Sequence, residues 1–343
     1  MQNNVLIRVE AGSDIGYGHL YRCVVLASRF LLDGYNCVFV TSKKSKESVE
    51  NIVCNRFDVV TIDAGFNSVC ELDDARLVVD IYRRFSSCLV VLDSYSLGII
   101  WERCVSSFNI KIFVIDDLLF RDHQCEFFLD QNIRVETDNF SRSVECSLSF
   151  EGPRYSLISD DYAKKRKSPI IRDNGIKNVL IFLGGGDVFN LTDLVLRAIC
   201  GLETWKDFNY SVVLGQSTDI NPLIYEKIKI KTYCNLPTLS DLMLSTDFCI
   251  GAPGSSAWER ACLGLPSALI SYADNQKRIG NALHNLELAY YIGHYPVVTE
   301  SEIRSSLKKM MSTLDLIDMS GKGMGLVDGL GAQRVVRRIV GRL

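Results

Sequence analysis

Val5-Leu6-Ile7-Arg8-Val9-Glu10-Ala11-Gly12-Ser13-Asp14-Ile15-Gly16-Tyr17-Gly18-His19-Leu20-Tyr21-Arg22 runs from an apolar strand, through a glycine loop, into an apolar-periodic helix that reaches about Leu32. A strand that enters a helix through such a turn is the opening unit of a parallel α/β sheet. The glycines let the backbone approach a ligand closely, and the unpaired N–H groups and dipole of the first helical turn favour negative charge there. His19 stands at this junction, with Arg22 one turn on. An imidazole so placed is disfavoured as a cation and biased toward the neutral form, which takes a proton from water or a hydroxyl.

The pattern continues outward. Val5 to Val9, Cys37 to Val40, Val59 to Ile62, Cys88 to Leu92 and Lys111 to Ile115 are short β-branched runs alternating with helical periodicity, the signature of buried parallel strands. Three end in acids at the expected carboxyl edge, Asp63, Asp93 and Asp116-Asp117, where open α/β sheets place ligands. This predicts a Rossmann-like domain over residues 1–155. Around Asp160 to Asn174 the apolar periodicity stops at Asp-Asp-Tyr-Ala-Lys-Lys-Arg-Lys-Ser-Pro, which reads as a solvated linker. Alternation then resumes with strands at Val179 to Leu183, Tyr210 to Leu214, Phe248 to Ile250 and Ser267 to Ile270, and helices after Asn190, Pro237, Ser255 and Asn275. A second Rossmann-like domain over 175–330 follows, with a final helix over 331–343 packing back across the hinge. The expected fold class is α/β, two doubly wound domains with a cleft between them.

Composition narrows the partners. A chain of 343 residues with 47% hydrophobic content can build two cores, and Lys plus Arg at 38 against Asp plus Glu at 41 gives a formal net charge of −3. No global basic field recruits nucleic acid or an anionic membrane, so neither is expected as a partner. Charges break the apolar runs well short of the roughly 18 to 20 residues that a bilayer needs, and no charged n-region followed by an apolar h-region opens the chain, so a cytoplasmic protein is expected. The closest of the 12 cysteines, Cys249 and Cys262, lie far outside Cys-x-x-Cys spacing, and His19, His123, His284 and His294 show no two-ligand pattern. No metal and no cofactor are expected, and the spacing leaves the oligomeric state open, with a monomer plausible.

Two further glycine loops follow strands. Gly184-Gly185-Gly186-Asp187 is placed to curve around a diphosphate or to form a tight turn. It lacks the Gly-Lys-Ser/Thr of a Walker A loop. The opening loop is no dinucleotide fingerprint either, since Tyr21 replaces the third glycine and strand two runs into Thr41-Ser42-Lys43-Lys44 rather than a ribose-binding acid. Gly251-Ala252-Pro253-Gly254-Ser255-Ser256-Ala257-Trp258-Glu259-Arg260 pairs two capping serines with a carboxylate one turn on, which is suited either to phosphate and ribose hydroxyls or to a Ser256/Glu259 capping box. Asn275-Gln276 follows the next strand, placed to bond a sugar or to cap a helix.

In this order, Gly16-x-Gly18-His19-x-x-Arg22, Asp93-x-Tyr95, Asp116-Asp117, Gly184-Gly185-Gly186-Asp187, Ser255-Ser256-x-x-Glu259 and Asn275-Gln276 resemble the UDP-2,4-diacetamido-2,4,6-trideoxy-β-L-altropyranose hydrolases of pseudaminic acid biosynthesis, relatives of spore-coat polysaccharide and MurG-like GT-B proteins. The resemblance spans roughly Val5 to Leu288. It implies a GT-B fold, a metal-independent reaction, UDP held by the C-terminal domain and His19 as catalytic base. On that basis water attacks the anomeric carbon with inversion, and Tyr95 positions sugar or water. The substrate contacts are Gly16, Gly18, Arg22, Asp117, Gly185, Gly186, Ser255, Ser256, Glu259, Asn275 and Gln276. Arg22 is equally open to a helix-surface ion pair, and Asp14 is a weaker candidate. A GT-B glycosyltransferase is the alternative, separated by acceptor dependence; a nucleotide-sugar epimerase or a UDP-sugar binding module are the remaining readings.

Overall fold

The computed structural model describes residues 3–12, 15–53, 56–63, 71–118, 120–134, 142–166, 175–187, 189–215, 218–224, 226–234, 236–313 and 315–343. They form two compact units, residues 1–158 with 330–343, and residues 159–329.

The first unit runs β1 (Asn3–Val9), α1 (Gly18–Leu32), β2 (Tyr35–Ser42), α2 (Lys46–Val53), β3 (Asp58–Ile62), α3 (Glu71–Arg84), β4 (Ser87–Asp93), α4 (Ile99–Ser106), β5 (Ile112–Ile115), β6 (His123–Asp130) and β7 (Val144–Glu151). Its sheet is parallel in the order β3-β2-β1-β4-β5-β6-β7. The central strands are mostly apolar because successive side chains enter two cores, the buried Arg8 of β1 being paired with Asp74 and Glu10. Val5, Ile7 and Val9 pack with Leu20, Cys23, Leu26, Ala27 and Phe30 of α1, while Leu6 packs with Val78 of α3 and Trp101 and Val105 of α4. Helix α1 gives way to β2 at Gly34, whose φ of +86° lies in the left-handed region.

The second unit runs α5 (Asp160–Lys165), β8 (Asn178–Phe182), α6 (Leu191–Cys200), β9 (Asn209–Val213), β10 (Lys229–Tyr233), α7 (Ser240–Leu244), β11 (Phe248–Gly251), α8 (Ser256–Cys262), β12 (Ser267–Ser271), α9 (Asp274–Asn285), β13 (Tyr290–His294), α10 (Glu300–Thr313) and α11 (Leu316–Leu326). Its sheet is also parallel, in the order β10-β9-β8-β11-β12-β13. One core joins Val179 and Ile181 of β8 to Val195, Leu196 and Ile199 of α6, and to Ile303 and Leu307 of α10.

The solvated linker expected over Asp160 to Asn174 is corrected in its first half. Tyr162 is 2% exposed, Lys165 bonds Ser240 at 2.7 Å and pairs with Asp241 at 2.8 Å, and Arg166 donates to the carbonyls of Val327 at 2.9 Å and Met324 at 2.6 Å. These basic residues tie α5 into the second unit, and residues 167–174 lie outside those described.

The last helix, α12 (Gly331–Val340), belongs to the first unit and buries Ala332, Val335, Val336 and Ile339 against the α1 side of its sheet. It enters where a Cβ on Gly331 would stand 2.3 Å from the Ser156 carbonyl oxygen and 2.6 Å from the Tyr155 carbonyl carbon. Because that obstacle is backbone, Gly331→Ala is expected to destabilise the first unit by about 1 to 3 kcal/mol, the usual cost of overpacking. Chemical denaturation of the two proteins checks this, and equal midpoints would contradict it.

Candidate active site

In both sheets the strand order reverses at one place, between β1 and β4 and between β8 and β11. Connections diverge there to opposite faces and open a crevice beyond the carboxyl ends of the strands, where open α/β sheets bind ligands. The first unit puts His19 and Arg22 of α1 on one side of its switch point and Asp93, the last residue of β4, on the other.

His19 Nδ1 lies 2.5 Å from Asp93 Oδ1. Arg22 grips the same carboxylate with two donors, Nε to Oδ2 at 2.6 Å and Nη2 to Oδ1 at 2.6 Å. Since an ionised carboxylate only accepts, the hydrogen between His19 and Asp93 belongs to Nδ1, and in the neutral ring Nε2 is the acceptor. Arg22 Nη2 also lies 3.1 Å from Nδ1, but its better-placed acceptor is the carboxylate. The orientation of the imidazole therefore comes from Asp93. Asp93 is 1% exposed; burial works to raise its carboxyl, yet Arg22 and His19 hold it well below the usual carboxylate range.

The constellation closes on the other side. Arg22 Nη1 lies 3.4 Å from Asp117 Oδ2, which also accepts from Asn132 Nδ2 at 3.1 Å, and the Tyr95 hydroxyl donates to Asp117 Oδ1. The Tyr95 ring meets the His19 ring edge-on, with centroids 4.5 Å apart at 87°. Part of the Tyr95 ring is exposed, but its hydroxyl end is desolvated beside Asp117, and both effects push the phenol well up. Asp117 is held low by Arg22 and by the Tyr95 hydrogen bond against the opposing effect of burial. Arg22 is 4% exposed and engaged with two carboxylates, so the structure assigns it neither a surface ion pair nor a free cation for a ligand.

Before His19, Gly16 donates its N–H to the Gly12 carbonyl at 2.7 Å with φ at +87°, a conformation suited to glycine, and Gly18 is the exposed first residue of α1. Asp14 lies outside the described residues.

In the second unit, Gly184, Gly185 and Gly186 follow β8, with Gly184 at φ +108° and Gly185 exposed. A Cβ on Gly184 would meet only the outer end of the Tyr272 side chain, so it is the backbone conformation that reserves this position for glycine. Asp187 caps α6, accepting from the N–H groups of Leu191 at 2.9 Å and Thr192 at 3.2 Å and from the Thr218 hydroxyl at 3.1 Å. After β11 the capping box, one of the two readings of this spacing, is absent. Ser255 is the N-cap without a side-chain bond, while Ser256 Oγ accepts from Arg260 Nη1 at 3.0 Å. Glu259 instead accepts from the Tyr162 hydroxyl of α5. Burial pushes the Glu259 carboxyl up to about 7, against the Tyr162 bond and the Arg260 charge that pull it down. Arg260, 1% exposed, also donates to the Ala252 carbonyl at 2.8 Å and thereby shapes the loop. Asn275 and Gln276 lie in the first turn of α9, and the Gln276 amide oxygen accepts from the Tyr272 N–H at 3.1 Å.

Sequence reasoning left Asp93 out of the site although it flagged a strand-end acid there. It also missed Asn132, Tyr162, Arg260 and Tyr272, none of which carries a local signal. Among the described residues, no group of three His, Cys, Asp or Glu could hold a metal ion, and no helix is long and apolar enough to cross a membrane.

No protein-family model matches the chain. It is 24% identical over 309 residues to an uncharacterized protein of Methanocaldococcus jannaschii, covering 84% of this chain and 61% of that protein. It is 26% identical to the spore coat polysaccharide biosynthesis protein SpsG of Bacillus subtilis, over 54% of this chain and 56% of the relative. It is 23% identical to the UDP-2,4-diacetamido-2,4,6-trideoxy-β-L-altropyranose hydrolase of Campylobacter jejuni, over 55% and 62%. The chain thus spans between 56% and 62% of the length of these curated relatives. Among solved structures, MurG of Acinetobacter baumannii superposes with a TM-score of 0.68 at 12% identity, covering 99% of this chain and all of MurG. The rhamnosyltransferase SpnG complexed with thymidine diphosphate gives 0.67 at 11% identity, covering 98% and 100%. The two parallel-sheet units have the fold of these GT-B glycosyltransferases.

Proposed function

We propose that this chain is a nucleotide-sugar enzyme that hydrolyses a UDP-sugar at its anomeric carbon, with His19 as general base. The observation that supports this is the 2.5 Å contact between His19 Nδ1 and Asp93 Oδ1, which reserves Nε2 of the neutral ring as the proton acceptor. Water loses its proton to Nε2 as its oxygen bonds C1. The C1–O bond breaks with its electron pair passing to the β-phosphate oxygen, and the configuration at C1 inverts. Tyr95 and Asp117 flank the imidazole and position the sugar or the attacking water.

The second unit holds the UDP moiety through backbone N–H groups at Gly185 and Gly186 and at Ser255 and Ser256, which offset the charge gathering on the leaving diphosphate. Glu259 accepts the ribose hydroxyls, and Asn275 and Gln276 contact the sugar. The likeness to the Campylobacter jejuni hydrolase and to SpsG supports UDP-2,4-diacetamido-2,4,6-trideoxy-β-L-altropyranose as substrate, within pseudaminic acid biosynthesis. The solved structures favour a second function, sugar transfer to an acceptor. A proton NMR time course of the purified chain with that UDP-sugar and no acceptor tests the two: free sugar first seen as the inverted anomer supports hydrolysis, and a donor that stays intact until an acceptor is added refutes it.

A pH dependence follows from Glu259. Only its ionised form accepts both ribose hydroxyls, so uridine affinity rises with pH through about 7. Between about pH 6 and about pH 8 the ionised fraction, and with it the affinity, increases about tenfold. Calorimetry at both values should give that ratio for the native chain and none for Glu259→Gln; a flat native profile would remove Glu259 from the ribose.

A further inference from the structure

One guanidinium holds both ends of the Tyr95–Asp117 hydrogen bond. Arg121, which follows β5 in the chain, donates Nη1 to the Ser94 carbonyl at 2.9 Å and Nη2 to the Leu97 carbonyl, so it grips the backbone on either side of Tyr95. The same Nη1 lies 2.9 Å from Asp116 Oδ2, the carboxylate next in sequence to Asp117. Asp116 is 1% exposed, and its Oδ1 accepts the Leu118 N–H at 2.6 Å, which pins the turn that presents Asp117. Behind it stands His123, 2% exposed, with Nε2 3.2 Å from Asp116 Oδ2 and Nδ1 2.7 Å from Oε1 of the fully buried Glu102. Glu102 itself is fixed by the Gln124 N–H at 2.7 Å. Asp116 Oδ2 therefore sits between the Arg121 guanidinium and the His123 imidazole without a well-directed hydrogen bond of its own.

We propose that Arg121 is a positioning residue for the reacting site: it locks the loop after β4 to the loop after β5, so that Tyr95 and Asp117 meet beside His19, and His123 braces Asp116 from behind. The proposal rests on the assignment of His19 as the base. A guanidinium suits the task because its planar fork donates to the Ser94 and Leu97 carbonyls while its charge faces Asp116, which the single ammonium of lysine does not do. Arg121 touches neither His19 nor the reacting atoms, so its effect passes through Tyr95 and Asp117.

Two readouts test this. In histidine-selective NMR, the His19 ring signals carry the ring current of the Tyr95 ring 4.5 Å away, and Tyr95→Ala calibrates its loss. Arg121→Ala should move the His19 signals toward their Tyr95→Ala positions while His284 and His294, in the second unit, stay put. His19 signals at native positions would overturn the proposal. In turnover, Arg121→Ala should lower kcat by up to about 10²-fold with UDP affinity unchanged, as displacement of positioned groups does. Combining it with Tyr95→Phe should cost no more than the worse single change, whereas losses that multiply would mean that Arg121 acts elsewhere. If Arg121→Ala does not fold, Arg121→Lys carries the test, with His19 signals shifted part of the way; native signals and native turnover in that variant would overturn it. A native chain that turns over no UDP-sugar refutes the hydrolase, while the NMR comparison still decides the role of Arg121.

Discussion

Replacing His19 by alanine lowers UDP-sugar turnover by about 10²- to 10⁴-fold, the usual worth of general-base assistance, and leaves UDP affinity where it was. The split follows from the division of labour. Water reaches C1 with its proton still attached, so the barrier rises, while the groups proposed to bind UDP belong to the second unit. The fold should survive, because the imidazole is partly exposed and its removal leaves the Arg22–Asp93 pair intact. Steady-state turnover and UDP calorimetry on the two proteins check this. Turnover within tenfold of native would remove His19 as the base.

Asp93→Asn is expected to damage both catalysis and stability, although it changes hardly any volume. A carboxamide no longer obliges Nδ1 to carry the hydrogen, so Nε2 is not reserved as the acceptor. In a serine protease the corresponding change costs about 10⁴ in kcat. At the same time the Arg22 guanidinium, buried and charged, loses its bidentate partner. Breaking one side of a buried pair typically costs about 3 to 5 kcal/mol. The pH profile gives a separate signature. Because the folded carboxyl of Asp93 lies below its ordinary 3.8, it contributes stability that is present above that pH and lost as pH falls from there. Asp93→Asn should therefore be less stable near neutrality, and the difference from native should shrink in acid. Denaturation midpoints across that range measure it, and a constant difference would show that Asp93 is not held as an anion by Arg22.

The central strands were legible in the sequence because both of their faces are covered, which makes them continuous apolar runs. Strands β3, β7, β10 and β13 lie at sheet edges and β6 lies beside one, and of these only β3 reads as an apolar run. Lys229-Ile230-Lys231-Thr232-Tyr233 is largely exposed and charged, as edge strands are when they resist pairing with other chains, and β7 alternates polar and apolar residues because only one face is covered. A search for apolar runs passes over both.

The site was legible to the extent that its residues sit at strand ends. The glycine loops, His19, Tyr95 and Asp117 all announce themselves by that position. What joins them does not. His19 meets Asp93 only because β4 pairs with β1 across the switch point, and Arg22 turns inward to the same carboxylate. Likewise the Ser256 and Glu259 spacing fits a capping box, but tertiary partners claim both side chains, Arg260 for the hydroxyl and Tyr162 for the carboxylate. Local spacing left a cap and a ligand site both open; long-range contacts rule out the cap.

In the proposed reaction water attacks the anomeric carbon with His19 as base. Incubating the chain with the UDP-sugar in ¹⁸O-water without an acceptor, and weighing the UDP by mass spectrometry, tests this at the bond that breaks. The free sugar exchanges its anomeric oxygen with solvent, so UDP is the informative product. Unlabelled UDP, released by the native chain and not by His19→Ala, is the predicted result. UDP carrying ¹⁸O would place the attack at phosphorus and contradict the account.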